Sequence, residues 1–236
     1  MDRQQAIIQM FDDISPTYDR LNRILSFGVD RRWRANGCLA ALKTFDGDKA
    51  TLIDVATGTG DLILFWRKAA TKLRKTIERA IGVDPSQNML DIAATKPLNA
   101  LFIKSEAAAI PLEDCAADLL SVSYGIRNVV EIDKAIAEFY RLLKPNGVLL
   151  ILEFMNRKQK TIFDRLASFY LGRVLPAIGK FISKDPRAYS YLPESIESFL
   201  TAEELADKLK NAGFTIEQIK DETFGISARF IARKPL

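Results

Sequence analysis

LIDVATGTGD, Leu52 to Asp61, is the stretch whose reading decides the fold of the 236-residue chain. Leu52, Ile53 and Val55 form a short apolar run of the kind that becomes a buried strand. Asp54, Gly58, Thr59 and Gly60 accompany it, and a helical pattern begins at Asp61. Glycine is needed where backbone passes close to a ligand, because no Cβ stands in the way. A strand that enters a helix through such a turn aims free N–H groups at whatever binds there. The G-x-G pair also fits an ordinary strand-to-helix turn, so the flanks must decide. The third glycine of the dinucleotide fingerprint is missing, with Ile63 in its place. Downstream, IGVDPS (Ile81 to Ser86) closes a second apolar run on Asp84. A carboxylate at the end of a second parallel strand accepts hydrogen bonds from two ribose hydroxyls. The pattern therefore points to a nucleotide-binding α/β protein, and S-adenosylmethionine suits it better than a dinucleotide.

Composition narrows the class. Hydrophobic residues at 48% and charged residues at 27% describe an ordinary globular protein of one α/β domain, residues 1–236. The 34 basic and 30 acidic residues leave a net charge of +4, scattered along the chain. That distribution gives no basic stripe for nucleic acid, and it does not oppose approach to an anionic membrane. Cys38 and Cys115 lie far apart without metal-ligand spacing, so the expectation is no metal and two buried small hydrophobes in a reduced cytoplasmic setting. No signal peptide opens the sequence, and no apolar run is long enough to span a bilayer. Histidine is absent, so acid–base chemistry falls to carboxylates, tyrosine, water or the substrate.

Residues 1–45 read as a helical cap, in which Ser15-Pro16 is a helix start and Gly28 a break. Helices placed before the first strand often cover the ligand site, which puts Tyr18 beside the pocket. Three further strands are expected, at Leu101 to Ile103, at Asp118 to Ser123, and at VLLILEF ending near Glu153. The last is the most continuously apolar and is expected to be central. Lys144-Pro145-Asn146-Gly147 should stop the preceding helix, by removing a donor and then permitting positive φ. Beyond the third strand, Glu106 and Ala107 reach the crevice shared by Gly58 and Asp84. Glu106 is placed to accept from an adenine amino group, a solvated loop carboxylate being the alternative. SYGIRNV, Ser123 to Val129, sets Arg127 and Asn128 side by side at the ligand end of the sheet. Residues 157–199 interrupt the alternation as a helical insertion. It reads as packing on the domain, as a lid holding an apolar substrate, or as a surface resting on a membrane. A helix over 201–211, with Gly213 as its stop, and two antiparallel strands near 214–220 and 226–233 close the chain.

YDRLNRILSFGVDRRW, LIDVATGTGD, SYGIRNV, YRLLKPNGVLLILEF and VLPAIGKFISKDPRAYSYLPESI together resemble the quinone-biosynthesis C-methyltransferases, from about Phe11 to the C-terminus. The glycine loop and LKPNG occur across many methyltransferases, whereas SYGIRN, YSYLPESI and SFG-x-x-R-x-W are more specific. The resemblance implies a seven-stranded Rossmann-like class I S-adenosylmethionine methyltransferase fold with N-terminal helices and a helical insertion after strand five. It implies S-adenosyl-L-methionine as cofactor, leaving as S-adenosyl-L-homocysteine, with Thr59, Asp84, Glu106, Ala107 and Ser123 among its contacts. The implied acceptor is a prenylated quinol, either demethylmenaquinol or a 2-polyprenyl-6-methoxy-1,4-benzoquinol. Two positions depart from the pattern: the family usually has Asp or Asn at Glu106, and often histidine at Asp30. The expected chemistry is attack of an ionised hydroquinone carbon on the sulfonium methyl. Arg127 would stabilise the phenolate, Asn128 and Tyr18 would orient a ring oxygen or a water, and Glu153 is a weaker candidate base. A methyltransferase for another small acceptor and a non-catalytic cofactor-binding scaffold are the alternatives. No nucleic-acid partner is expected; the sequence leaves open whether the chain forms a homodimer and whether it contacts a membrane peripherally.

Overall fold

The apolar runs on either side of the glycine turn become neighbouring parallel strands. β1 (Lys49–Val55) pairs in parallel with β2 (Thr76–Asp84) on one side and β4 (Ala117–Ser123) on the other. This computed structural model describes residues 2–26, 28–157, 187–223, 225 and 227–236. With β3 (Leu101–Lys104), β5 (Leu143–Phe154), β6 (Thr215–Glu222) and β7 (Ser227–Arg233), the described residues form a seven-stranded sheet of order β3-β2-β1-β4-β5-β7-β6. β7 runs antiparallel to both its neighbours, as the closing pair of strands predicts. The central strand is β4, with β5 beside it, a small correction to the expectation that VLLILEF lies in the middle.

Successive side chains of a strand point to opposite faces, and both faces here are covered. Ile53, Leu120, Leu149 and Ile151 pack with Ile136 and Phe139 of α6 (Ile132–Leu142). Leu52, Leu119, Leu150 and Leu152 pack on the other face with Leu42 of α3 (Val29–Thr44) and Trp66 of α4 (Asp61–Lys72). The chain visits β2 and β3 on one side of β1, then returns to β4 on the other. The carboxyl ends of β1 and β4 thus diverge at a topological switch point, where such sheets bind ligands.

α1 (Arg3–Ile14) and α2 (Tyr18–Leu25) precede this layer, joined by a short 3₁₀ turn at Ser15–Thr17. Ser15 does not cap the following helix. Its hydroxyl donates back to the Asp12 carbonyl at 2.9 Å, because helical geometry runs almost without a break into the 3₁₀ turn. Gly28, at φ +74°, supplies the break before α3. Positive φ in LKPNG falls on Asn146 rather than Gly147. Gly147 is required for a different reason: a Cβ there would lie 2.8 Å from the Lys144 carbonyl oxygen. Cys38 is fully buried, but Cys115 is exposed at a positive-φ turn position, which corrects its reading as a core residue.

α5 (Gln87–Thr95) begins after Asp84 with Ser86 as its N-cap. Of the insertion expected over 157–199, residues 158–186 lie outside the described residues. Its final part is α7 (Arg187–Glu197), followed by α8 (Ala202–Asn211) with a Thr201–Glu204 capping box. Among the described residues, no helix is long and apolar enough to cross a membrane.

Candidate active site

Glycine at the end of β1 lets the turn approach the end of β2. The Gly58 N–H donates to Asp84 Oδ2 at 2.8 Å, and the Ser86 N–H donates to Oδ1 at 2.9 Å. Burial pushes the Asp84 carboxyl up to about 6, against the pull of those two donors. Asp54 lies deeper. Its Oδ1 accepts from Ser121 and its Oδ2 from Thr57, both at 2.6 Å, and burial raises its carboxyl to about 6 as well. Trp66 completes this chain by donating to the Ser121 hydroxyl at 3.0 Å. Asp54 therefore fixes the turn from beneath, while Asp84 faces a cavity.

That cavity has a volume of about 340 Å³. Gly58, Asp84, Glu106, Ala107, Ser123 and Asn128 line it from the sheet side. Ile7, Ile8 and Phe11 of α1 and Tyr18 of α2 close it from above. Tyr18 packs edge-on against Phe11, ring centroids 6.1 Å apart, and a Cβ on Gly58 would sit 4.0 Å from its ring. Among the described residues the buried Ser123 hydroxyl has no hydrogen-bond partner, an orphaned polar atom at the edge of the space.

Gly60 and Thr59 occupy other positions. Gly60, at φ +79°, caps α4 and backs onto Leu98, whose Cδ1 would lie 2.4 Å from an added Cβ. Thr59 is buried in a polar clasp beside the main cavity. Its hydroxyl donates to Asp19 Oδ1 at 2.6 Å, while Lys96 Nζ reaches Asp19 at 2.7 Å, Thr59 at 3.0 Å and Asp61 at 2.6 Å. Asp19 is pulled below its usual range; burial opposes the shift, and the Lys96 and Thr59 hydrogen bonds outweigh it. A second tie joins the cap to α5: Asp12 accepts from the Ser86 hydroxyl and, at 3.3 Å, from the Asn88 N–H.

Asn128 faces the cavity and its neighbour Arg127 does not. Arg127 Nη1 donates to Glu153 Oε1 at 2.6 Å and to the Tyr124 carbonyl at 2.8 Å, and its guanidinium lies 5.5 Å from the Phe154 ring centroid. The pair is nearly water-free, with side-chain exposures of 7% and 0%. Burial raises the Glu153 carboxyl, and the Arg127 charge opposes that rise. The expectation that Arg127 meets the acceptor directly is thus not what the described residues show. Glu153, one strand over, neutralises it and draws it away from the space, and by the same contact Glu153 is held as an ion-pair partner. Two residues of α7 complete the group. Tyr191 donates from its hydroxyl to Asn128 Oδ1 at 2.9 Å, and Arg127 Nε donates to Ser195 at 3.3 Å.

Asp30, where the family often has histidine, forms a buried pair with Arg34 and accepts from Ser26 at 2.6 Å. Asp12, Lys96 and Tyr191 had no separate signal in the sequence, although Tyr191 belongs to the specific YSYLPESI stretch.

Sheet order, switch-point cavity and glycine turn define the class I methyltransferase fold. A solved S-adenosylmethionine-dependent methyltransferase from Aquifex aeolicus shares it, with TM-score 0.58 at 21% identity over 99% of each chain. The model of the ubiE/COQ5 methyltransferase family matches residues 1–234, and the chain belongs to that family. It is 47% identical over 234 residues to a ubiquinone/menaquinone biosynthesis C-methyltransferase of Campylobacter jejuni, covering 99% of this chain and 100% of the relative. It is 39% identical over 232 residues to a demethylmenaquinone methyltransferase of Thermus thermophilus, covering 96% and 100%.

Proposed function

We propose that the chain transfers the methyl group of S-adenosylmethionine to a ring carbon of a prenylated hydroquinone, with demethylmenaquinol as the first acceptor to test. The observation that carries this reading is the two-sided cavity. Asp84, Ser123 and Asn128 form a polar floor, and Ile7, Ile8 and Phe11 form an apolar roof. A polar nucleoside beside an apolar ring system matches that division, and the names of the relatives point the same way.

The residues present fit the cofactor. Each Asp84 oxygen already accepts one backbone N–H and keeps lone-pair capacity for a ribose hydroxyl. Ser123 offers a hydroxyl without a partner among the described residues, and Glu106 and Ala107, which line the same cavity, are the residues proposed to meet the adenine. When bound, the cofactor supplies an electrophilic methyl group on a sulfonium. The protein's part is to align the acceptor carbon and to exclude water with the α1 roof. Asn128 donates to a ring oxygen, and Tyr18, at the junction of roof and turn, orients that oxygen or a nearby water. Lowering the cost of ionising the hydroquinone makes the carbon beside the oxygen more nucleophilic. No strong base is needed for the alkylation itself, and the proton displaced from the methylated ring carbon would leave to water as the ring regains aromaticity.

The naming of relatives for both quinones supports a second acceptor class, the 2-polyprenyl-6-methoxy-1,4-benzoquinols. The test uses purified protein, methyl-labelled cofactor and short-tailed acceptors of both classes, read by mass spectrometry. Label on the naphthohydroquinone ring carbon is expected. Label on oxygen, or on neither ring, would overturn the reading. A prenylated acceptor resides in a bilayer, so peripheral membrane contact belongs to the proposal and is checked by vesicle co-flotation. Sedimentation distinguishes a monomer from a homodimer.

A further inference from the structure

Asn128 is the cavity-lining member of the IRN turn, and its carboxamide has two faces of opposite character. A phenol donates a hydrogen bond far better than it accepts one, so the 2.9 Å contact with Tyr191 assigns the carboxamide oxygen to Tyr191. Its Nδ2 then has no protein partner among the described residues, and Asn128 borders the cavity proposed to take the acceptor. Released from Tyr191, the side chain can rotate about its last bond and present either an acceptor or a donor. A carboxamide oxygen turned toward an ionising ring oxygen would oppose the reaction, whereas an N–H turned toward it assists.

We infer that Tyr191 is a positioning residue: its hydroxyl locks the Asn128 carboxamide so that Nδ2 faces the acceptor and donates to the ring oxygen as it ionises. This rests on the proposed quinol methylation. The same helix reaches the adjoining residue through Ser195, so α7 holds both members of the Arg127-Asn128 pair. Tyr191 does not itself line the cavity, so its influence passes through Asn128.

The test is Tyr191→Phe, which keeps the ring and removes only the hydroxyl, made in the wild type and in an Asn128→Ala background. With a short-tailed demethylmenaquinol, Tyr191→Phe is expected to lower kcat about tenfold, the scale of one hydrogen bond, and to move the pH–rate midpoint upward. Affinity for S-adenosylhomocysteine and the melting temperature should stay at wild-type values. In the Asn128→Ala background the second substitution should change nothing further. A spectroscopic arm needs no turnover: 1-naphthol bound with S-adenosylhomocysteine should ionise at lower pH in wild type than in Tyr191→Phe, read by absorbance. Wild-type kcat and naphthol titration in Tyr191→Phe would overturn the inference, as would an equal loss in both backgrounds. Failure of the wild type to methylate either quinol class would instead overturn the proposed function, with the naphthol arm still judging Tyr191.

Discussion

The Gly58 N–H donates to the Asp84 carboxylate at 2.8 Å, so one hydrogen bond joins the turn after β1 to the end of β2. The carboxylate proposed to hold the ribose is therefore also the group that shapes the glycine turn. Asp84→Ala removes a charge-assisted acceptor from two backbone donors and from the cofactor. It is expected to weaken S-adenosylhomocysteine binding by about 2–3 kcal/mol and to lower the melting temperature as well. Asp84→Asn retains one good acceptor and should fall between wild type and alanine. Calorimetry beside thermal melts checks both; unchanged affinity in Asp84→Ala would remove the ribose assignment. Glu106→Ala should cost less than either, because the adenine contact proposed for Glu106 is a single one.

Both Asp54 and Asp84 are pushed up to about 6 by burial. A carboxyl whose folded pKa lies above its unfolded value contributes stability that is complete below the ordinary carboxylate range and is lost as pH rises through the folded pKa. The apo fold should therefore lose part of its stability between about pH 4 and pH 6.5 on account of these two groups. Cofactor binding has the opposite sign, because ribose hydroxyls need the ionised acceptor. Affinity for S-adenosylhomocysteine should rise about tenfold from pH 5 to pH 7 and then level off. The chain has no histidine, so no side chain with an ordinary pKa in that window confuses the measurement. A flat affinity profile in wild type, or an unchanged slope in Asp84→Asn, would assign the titration elsewhere.

Lys96 Nζ bonds Asp19, Thr59 and Asp61 together, and so pins α2 to the glycine turn. Asp19 is pulled below its usual range, so its contribution is present above the ordinary carboxylate pKa and is lost as pH falls through the lowered value. Lys96→Met should loosen the N-terminal cap at neutral pH, costing about 1 kcal/mol for a partly exposed cluster. Limited proteolysis is expected to cut within residues 2–44 faster than in wild type, with a several-fold weaker cofactor affinity. Equal cleavage rates would mean that the Asp12–Ser86 tie and the apolar face of α1 suffice to hold the cap.

Periodicity and turn chemistry made the sheet legible: strands β1, β2, β4 and β5 alternate between two buried faces, and Gly28 and Gly213 stand where positive φ is required. Asp84 and Ser123 could be placed at the cavity because strand ends in a doubly wound sheet share one crevice. The clasps were not legible. Asp12 meets Ser86 across 74 residues and Lys96 meets Asp19 across 77, and a lone polar side chain carries no period that would announce its partner. The Arg127–Glu153 pair had a usable signal, two opposite charges at the ends of adjacent parallel strands. Opposite charges so placed on neighbouring strands can satisfy each other instead of facing a ligand. Cys115 departs from the usual burial of cysteine because its position in a left-handed turn between β3 and β4 exposes it.

The buried Arg127–Glu153 pair leads to the sharpest division between a structural and a chemical role. Glu153 also accepts from the Phe154 N–H at 2.8 Å and the Arg127 N–H at 3.3 Å, so it organises the ends of β4 and β5 together. Arg127→Met leaves that carboxylate buried and unpaired, which should destabilise the fold by about 3–5 kcal/mol. Arg127→Met combined with Glu153→Gln removes both charges and keeps one acceptor oxygen, enough for the shorter Phe154 N–H bond though not for the Arg127 N–H as well, and most of the stability should return. The guanidinium is already neutralised by Glu153 and stands outside the cavity, so most of the turnover should return with it. Asn128→Ala, in contrast, should lower kcat by about two to three orders of magnitude with little change in melting temperature, the scale of one lost transition-state donor. Thermal melts and steady-state rates on the three variants decide the matter. A double variant as stable as wild type but still about a hundredfold slow would return the phenolate-stabilising role to the Arg127 charge.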